Sequence, residues 1–360
     1  MKRVSTMNLV PGMVTAEDVY TYNNQLILPK GLVLSDKTIT RLEFYSILNV
    51  RVEDALASDT EEQPTIEKVA TYSEKVRSSE QFIEFKQNFE EELVKFQGFL
   101  SSVADGEAKI EPEELMSFVD DLLDSGSGYI NVFDMLHNMR SYDDVTYVHS
   151  LNVALICNVF ARWLKMSDEE IKLATLCGLL HDIGKVNCPD EIIKKDSKLS
   201  NDEYARVKRH TMEGYNILRN YPISESIMNS ALMHHERCDG SGYPFGLRNA
   251  KIDSFAKMVA IADVYDAMTS ARVYRGPCCP FTVIELFESE GLQKYDTRFI
   301  MTFLENVVNT YMLQTVRLSD GREGEVVFIN RSRLSRPTIK IGSEFVDLTN
   351  EPDITIEAII

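Results

Sequence analysis

Five of the six histidines in this 360-residue chain fall between positions 149 and 235: His149, His181, His210, His234 and His235. Asp182 follows His181 directly, and Asp263 closes the series. Histidines scattered as core fillers would not gather this way. Imidazole and carboxylate donors without sulfur suit a borderline-hard cation such as Fe, Mn or Zn, so the spacing points to a metalloenzyme. A carboxylate beside an imidazole at a helix end can bridge two cations that separate imidazoles hold. Two cations about 3.5–4 Å apart lower the pKa of the water between them and neutralise charge on a phosphoryl group, which is the chemistry of in-line phosphodiester hydrolysis. His137, the sixth histidine, precedes the cluster in an ordinary helical pattern and reads as structural.

The residues around the donors add a substrate side. Lys185 lies three residues after Asp182, within reach of a metal-bound phosphate as a point charge. Asp239-Gly240-Ser241-Gly242-Tyr243-Pro244 is a loop whose glycines permit tight turns and whose tyrosine offers a ring face and a hydroxyl. Asp263 and Asp266, three apart in a helix expected over Ser254 to Ser270, share a side. Arg272 and Arg275 suit bidentate recognition of phosphate oxygens or of a guanine edge. With Lys185 and Arg237 they would give one basic pocket to a chain of formal net charge −18.

His181-Asp182-Ile183-Gly184-Lys185, followed by His234-His235-Glu236-Arg237-Cys238-Asp239-Gly240-Ser241-Gly242-Tyr243-Pro244, resembles the HD-GYP family, the HD-superfamily phosphodiesterases that cleave cyclic di-GMP. The resemblance runs from about Asp143 to Val307. It implies a first metal on His149, His181, Asp182 and Asp263, and a second on Asp182, His210, His234 and His235. It implies that Lys185, Gly242, Tyr243, Pro244, Asp266, Arg272 and Arg275 face the substrate. His181, Asp182 and Lys185 are then the catalytic residues: a hydroxide bridging two divalent ions, Fe or Mn before Zn, Ni or Co, attacks phosphorus and opens the ring to pGpG and then GMP.

Departures from the family pattern sharpen the expectation. Val145, one turn before His149, stands where three-metal members carry a glutamate, and valine cannot ligate, so two ions are favoured. Phe245 stands where a basic residue is common, and Cys238 where an aromatic is. Two other classes of function remain beside the enzyme: a receptor that binds the dinucleotide without cleaving it, and an HD hydrolase of another nucleotide, such as cyclic GMP-AMP, a dNTP or a (p)ppGpp-like alarmone.

The elements that must position these residues follow from patterning. The expected fold is mainly α, with a helical HD-GYP core flanked by a small N-terminal β-rich module and a small C-terminal β cap. Residues 1–54 alternate short apolar runs with turn signals around one helix near Asp36 to Tyr45, and residues 55–65 are a polar, acidic linker. Residues 66–140 are helical; Phe82, Phe85, Phe89, Leu93, Phe96 and Leu100 form one stripe that packs onto the rest of the chain, a dimerising helix being the alternative. Further helices are expected over Glu111 to Leu123 and Val132 to Arg140.

Residues 141–311 form the helical catalytic domain. Ser167 with Glu170, and Ser200 with Glu203, are capping boxes opening the helices that carry His181 and His210, and Gly184 lets the backbone turn after the His-Asp pair. In residues 312–360 the period becomes two, with Asp320-Gly321 as a hairpin turn.

A 44% hydrophobic content supports a packed core. No run approaches the roughly 18 apolar residues of a membrane span, and no signal-peptide core follows Met1-Lys2-Arg3, so the expected site of action is the cytoplasm. The acidic balance opposes binding to a DNA or RNA duplex or to an anionic membrane. Six cysteines without CxxC spacing are expected to be reduced.

Overall fold

The computed structural model describes residues 2–6, 9–20, 26–35, 38–39, 41–42, 47, 49–53, 76–104, 106–125, 132–139, 145–193, 200–269 and 278–360. The 55–65 linker and most of the helix expected at Asp36 to Tyr45 lie outside these residues.

Short strands build the N-terminal part. Lys2–Ser5 pairs antiparallel with Asn49–Val52, and Val19–Tyr20 with Leu26–Leu28. Val4, Leu9, Leu28, Leu34, Ile39, Leu42, Val50 and Val52 are buried together, a core distinct from the one that fills the rest of the chain. Arg41 reaches across to Glu290 of the helical part, with Nε 2.8 Å from Oε1.

Helices then dominate. Glu80–Ala104 carries the phenylalanine stripe, and Phe82, Phe85, Phe89, Leu93, Phe96 and Leu100 are all buried in the main core, so the stripe packs within the chain. Pro112–Ser125 and Val132–Asn138 follow. Two helices lie at the centre. In Val145–Trp163 every residue from Ser150 to Ala161 is buried, and in Ser254–Thr269 so is every residue from Met258 to Asp266. Helices buried all round belong to a core, and here their few polar residues must be partnered inside it.

Ser167 and Ser200 form the expected capping boxes, each side chain accepting from the third helical N–H while Glu170 and Glu203 return the bond. The second box opens Asn201–Lys208 and not the helix that carries His210. Arg209 ends one helix and begins the next, His210–Leu218, keeping helical angles, so the chain changes direction there without unwinding.

Gly184 also differs from expectation. Its backbone is an ordinary 3-10 turn within Ile183–Asn187, and what it needs is space: a Cβ would lie 1.9 Å from the His210 carbonyl oxygen. This glycine lets the His181-Asp182 turn press against the helix bearing His210.

The C-terminal part is a five-stranded antiparallel sheet of Thr315–Leu318, Glu323–Phe328, Thr338–Ile341, Glu344–Asp347 and Ile356–Ile359. Gly321, at φ +84°, makes the first hairpin's turn. Val316, Leu318, Val326 and Ile339 join the main core. Buried Arg336 bonds Glu285 and the Ile354 carbonyl, fastening the sheet to the helices. All six cysteines are free. Among the described residues no helix is long and apolar enough to cross a membrane.

Candidate metal centre and its neighbouring groove

Five elements bring the seven predicted donors together. His149 comes from the helix Val145–Trp163. His181 caps the end of Asp168–Leu180, and Asp182 precedes the 3-10 turn. His210 opens its helix, His234 caps Glu225–Met233 with His235 after it, and Asp263 lies on Ser254–Thr269. Cap positions free these side chains from the helix surface and point several at one volume.

The donors divide into two groups, His149, His181 and Asp182, and His210, His234 and His235, with the ligand atoms in each group within 4.8 Å of one another. Asp182 joins them. Its Oδ1 lies 3.3 Å from His210 Nε2 and 3.7 Å from His234 Nε2, while Oδ2 lies 3.4 Å from His181 Nε2 and 3.9 Å from His149 Nε2. Asp263 spans the groups in the same way, with Oδ1 3.0 Å from His149 Nε2 and Oδ2 3.8 Å from His235 Nδ1.

Tautomers are fixed from behind. His181 Nδ1–H donates to the Gly178 carbonyl at 2.7 Å, His210 Nδ1–H to Val207 at 2.6 Å, and His234 Nδ1–H to Ser230 at 3.0 Å. Each bond leaves Nε2 as a bare lone pair facing the cluster. The Nε2 atoms of His210 and His234 are only 3.3 Å apart. Two lone pairs cannot bond to one another, but ligands about 2.0–2.1 Å from one cation sit about 3.0–3.4 Å apart at ordinary coordination angles. Buried His181 Nε2, His235 Nδ1 and Asp182 Oδ1 have no hydrogen-bond partner among the described residues. The donor set therefore fits divalent metal.

Burial lowers the pKa of His210 to about 4 against the pull of Asp182, and burial likewise lowers that of His234 to about 3. Burial and neighbouring His234 also lower His235. These three rings are neutral at pH 7, as ligands must be. His149 is the opposite case: burial would lower it, but hydrogen bonds to Asp263 and Asp266 raise it to about 10. Burial works against the charge on Asp182, yet Lys185 and the surrounding imidazoles hold it well below the usual carboxylate range.

Several residues expected on the substrate side have other partners. Asp266 is buried, its Oδ2 2.7 Å from His149 Nδ1, and its Oδ1 accepts from Asn152 at 2.9 Å, an arrangement that orients the histidine. Arg237 is also buried; it donates to the His234 and Glu236 carbonyls and lies over the Tyr295 ring, which removes it from the expected basic pocket. Lys185 holds Asp182 Oδ2 with a quarter of its side chain exposed. Arg272 and Arg275, and the side chains of Val145 and His137, lie outside the described residues.

The Gly242-Tyr243-Pro244 loop stands beside the donors. Tyr243 stacks on His235, ring centres 4.6 Å apart. Gly242 runs so close to the His-His-Glu turn that a Cβ would lie 2.4 Å from the His235 carbonyl oxygen. Glu236, buried and not singled out from its sequence, accepts the N–H groups of Phe245 and Leu247 at 2.8 Å each and so folds the loop back on itself. Beyond it opens a groove of about 370 Å³ that includes Lys208 and Arg209. Their sequence signal was adjacency to His210, a run of two cations next to a ligand in an acidic chain.

A family model described as HD domain matches residues 135–299. A Pseudomonas aeruginosa protein named cyclic di-GMP phosphodiesterase is 35% identical over 64% of this chain and 56% of its own length. Two others are a Vibrio cholerae 3'3'-cGAMP-specific phosphodiesterase, 37% identical over 47% of this chain and 39% of its own, and a Thermotoga maritima cyclic di-GMP phosphodiesterase, 35% identical over 48% of each. The chain thus spans about half the length of the curated relatives it matches. Residues 135–299 of this chain match an HD domain, and the relatives that share this stretch are named as cyclic dinucleotide phosphodiesterases.

Proposed function

We propose that this chain is a metal-dependent phosphodiesterase that hydrolyses cyclic di-GMP to linear pGpG and onward to GMP. The observation that carries the reading is Asp182, whose two oxygens face two separate sets of imidazoles. Two divalent ions, Fe or Mn before Zn, Ni or Co, supply when bound an activated water and charge neutralisation at phosphorus. His149, His181, Asp182 and Asp263 are assigned to one ion, and Asp182, His210, His234 and His235 to the other, in line with the grouping of the donors.

The protein's own part is positioning. Backbone carbonyls fix the histidine tautomers, and Asp266 with Asn152 fixes His149. Lys185 is assigned the cation that meets a phosphoryl oxygen, supported by its place on Asp182 and its partial exposure. Arg272 and Arg275 are assigned to phosphate by the resemblance alone. Tyr243, on His235, is assigned to the substrate with Gly242 and Pro244. We assign catalysis to residues 141–311, and a separate module to 1–54 on the strength of its own core.

Cyclic GMP-AMP is the second reading of the substrate, supported by the Vibrio relatives named for it. Incubation of aerobically and anaerobically purified protein with each dinucleotide, with products separated by chromatography, tests both. Turnover of cyclic di-GMP supports the first, turnover of cyclic GMP-AMP alone the second, and turnover of neither refutes both.

A further inference from the structure

The groove beyond Tyr243 has an unusual lining for so acidic a chain. Lys208, Arg209 and Met212 come from the helix junction at His210, and Tyr243, Pro244 and Phe245 from the signature loop. The Lys208 ammonium lies 4.8 Å from the centre of the Tyr204 ring and 5.2 Å from that of Tyr243. Arg209 is exposed, and Phe245 is 56% exposed at the rim. Two cations beside an uncovered aromatic face match the two chemistries of a nucleotide, since phosphate seeks the charges and a base stacks on the ring.

Size and placement sharpen the match. A volume of about 370 Å³ is near the small end for ligand sites, which run from about 300 to 1,000 Å³, so it suits one nucleotide better than a whole cyclic dinucleotide. The groove also adjoins the donor cluster at two points: Arg209 is bonded in sequence to His210, and Tyr243 lies against His235. A ligand bound in the groove would therefore lie beside the donor cluster.

We propose that this groove is a specificity subsite for the nucleotide half whose phosphate is not being cleaved, with its base on Phe245 and its phosphate on Lys208 and Arg209. The inference rests on the cyclic dinucleotide reading. It makes Lys208, Arg209 and Phe245 determinants of recognition, distinct from the residues that hold metal.

The test compares metal-loaded wild type with Phe245→Ala and Lys208→Met, the latter keeping the apolar stem of the side chain. Binding of cyclic di-GMP is measured by calorimetry, and turnover of cyclic di-GMP and of bis(p-nitrophenyl) phosphate, a diester too small to span both places, is measured in parallel. Each variant is expected to weaken cyclic di-GMP binding about tenfold or more, to raise KM more than it lowers kcat, and to lose at least tenfold more kcat/KM on the dinucleotide than on the small diester. Equal losses on both substrates, or wild-type affinity for cyclic di-GMP, would overturn the subsite. Wild type that binds the dinucleotide without cleaving it sinks the proposed activity while the affinities still decide the groove; wild type that does not bind it at all ends both.

Discussion

The imidazole of His149 is held by Asp266, with Nδ1 2.7 Å from Oδ2, while its other nitrogen lies 3.0 Å from Asp263. Asp266 thus acts through His149 on the first donor group. Supporting carboxylates behind ligating histidines typically contribute about 10- to 100-fold in metal affinity. Asp266→Asn, which leaves an amide where a carboxylate accepted the ring N–H, is expected to lower affinity at the first group by that factor while helical content persists. Metal titration of the stripped variant checks this, and wild-type affinity would return Asp266 to the substrate side.

Protonation gives the metal-stripped protein a stability maximum near neutral pH. His210 and His234 are lowered from 6.5 to about 4 and about 3, so as pH falls through that window the unfolded chain binds protons that the folded chain refuses, and stability drops. His149, raised to about 10, binds its proton more tightly when folded; its contribution is full below pH 6.5 and is lost as pH climbs to about 10. Thermal unfolding of chelator-treated protein from pH 4 to 10 should show Tm falling on both sides. His210→Gln should flatten the acid side, and an unchanged slope there would contradict the assignment.

Two glycine substitutions are expected to have opposite signs. Gly184→Ala places a methyl 1.9 Å from the backbone oxygen of His210, which cannot swing aside, so the loss should be at or above the upper end of the usual 1–3 kcal/mol for overpacking. Gly98→Ala, in the middle of Glu80–Ala104 with open space around it, should gain about 0.5–1 kcal/mol. Urea unfolding of both variants measures the pair. A Gly184→Ala protein as stable as wild type would disprove the close approach of the His-Asp turn to His210.

Glu236→Gln should act on the substrate and not on the metal. Both carboxylate oxygens accept backbone N–H groups of the signature loop, and the amide offers a donor to one of them. Loss of such a charge-assisted bond costs about 1.5–3 kcal/mol. The expected result is a raised KM for cyclic di-GMP with metal content at the wild-type level. Loss of metal instead would mean that Glu236 supports the ligands themselves.

The seven candidate metal donors, which the structure brings together, could be picked out in the sequence because only a few side chains can ligate. Capping boxes at Ser167 and Ser200 and the Asp320-Gly321 hairpin were legible for a related reason: the partners lie within a few residues of one another. For Asp266, Arg237 and Gly184 the structure shows partners that the sequence did not. Helical periodicity places Asp266 on the side of Asp263 but does not say that His149 fills the space in front of it. A charge count marks Arg237 as basic without revealing that two carbonyls of its own turn and the Tyr295 ring enclose it. Lys208 and Arg209 went unnoticed because their groove exists only once the loop near Tyr243 is folded against them.

The most direct measurement counts metals and cyclic di-GMP turnover in the same samples of wild type and Asp182→Ala. Wild type is predicted to hold two ions per chain and to yield pGpG, whereas the variant, without the carboxylate that faces both groups, holds neither ion in place and loses several kcal/mol of barrier reduction while keeping its helical content. An Asp182→Ala protein that linearises cyclic di-GMP at the wild-type rate, or a wild-type chain that carries three tightly bound ions, would contradict the binuclear account.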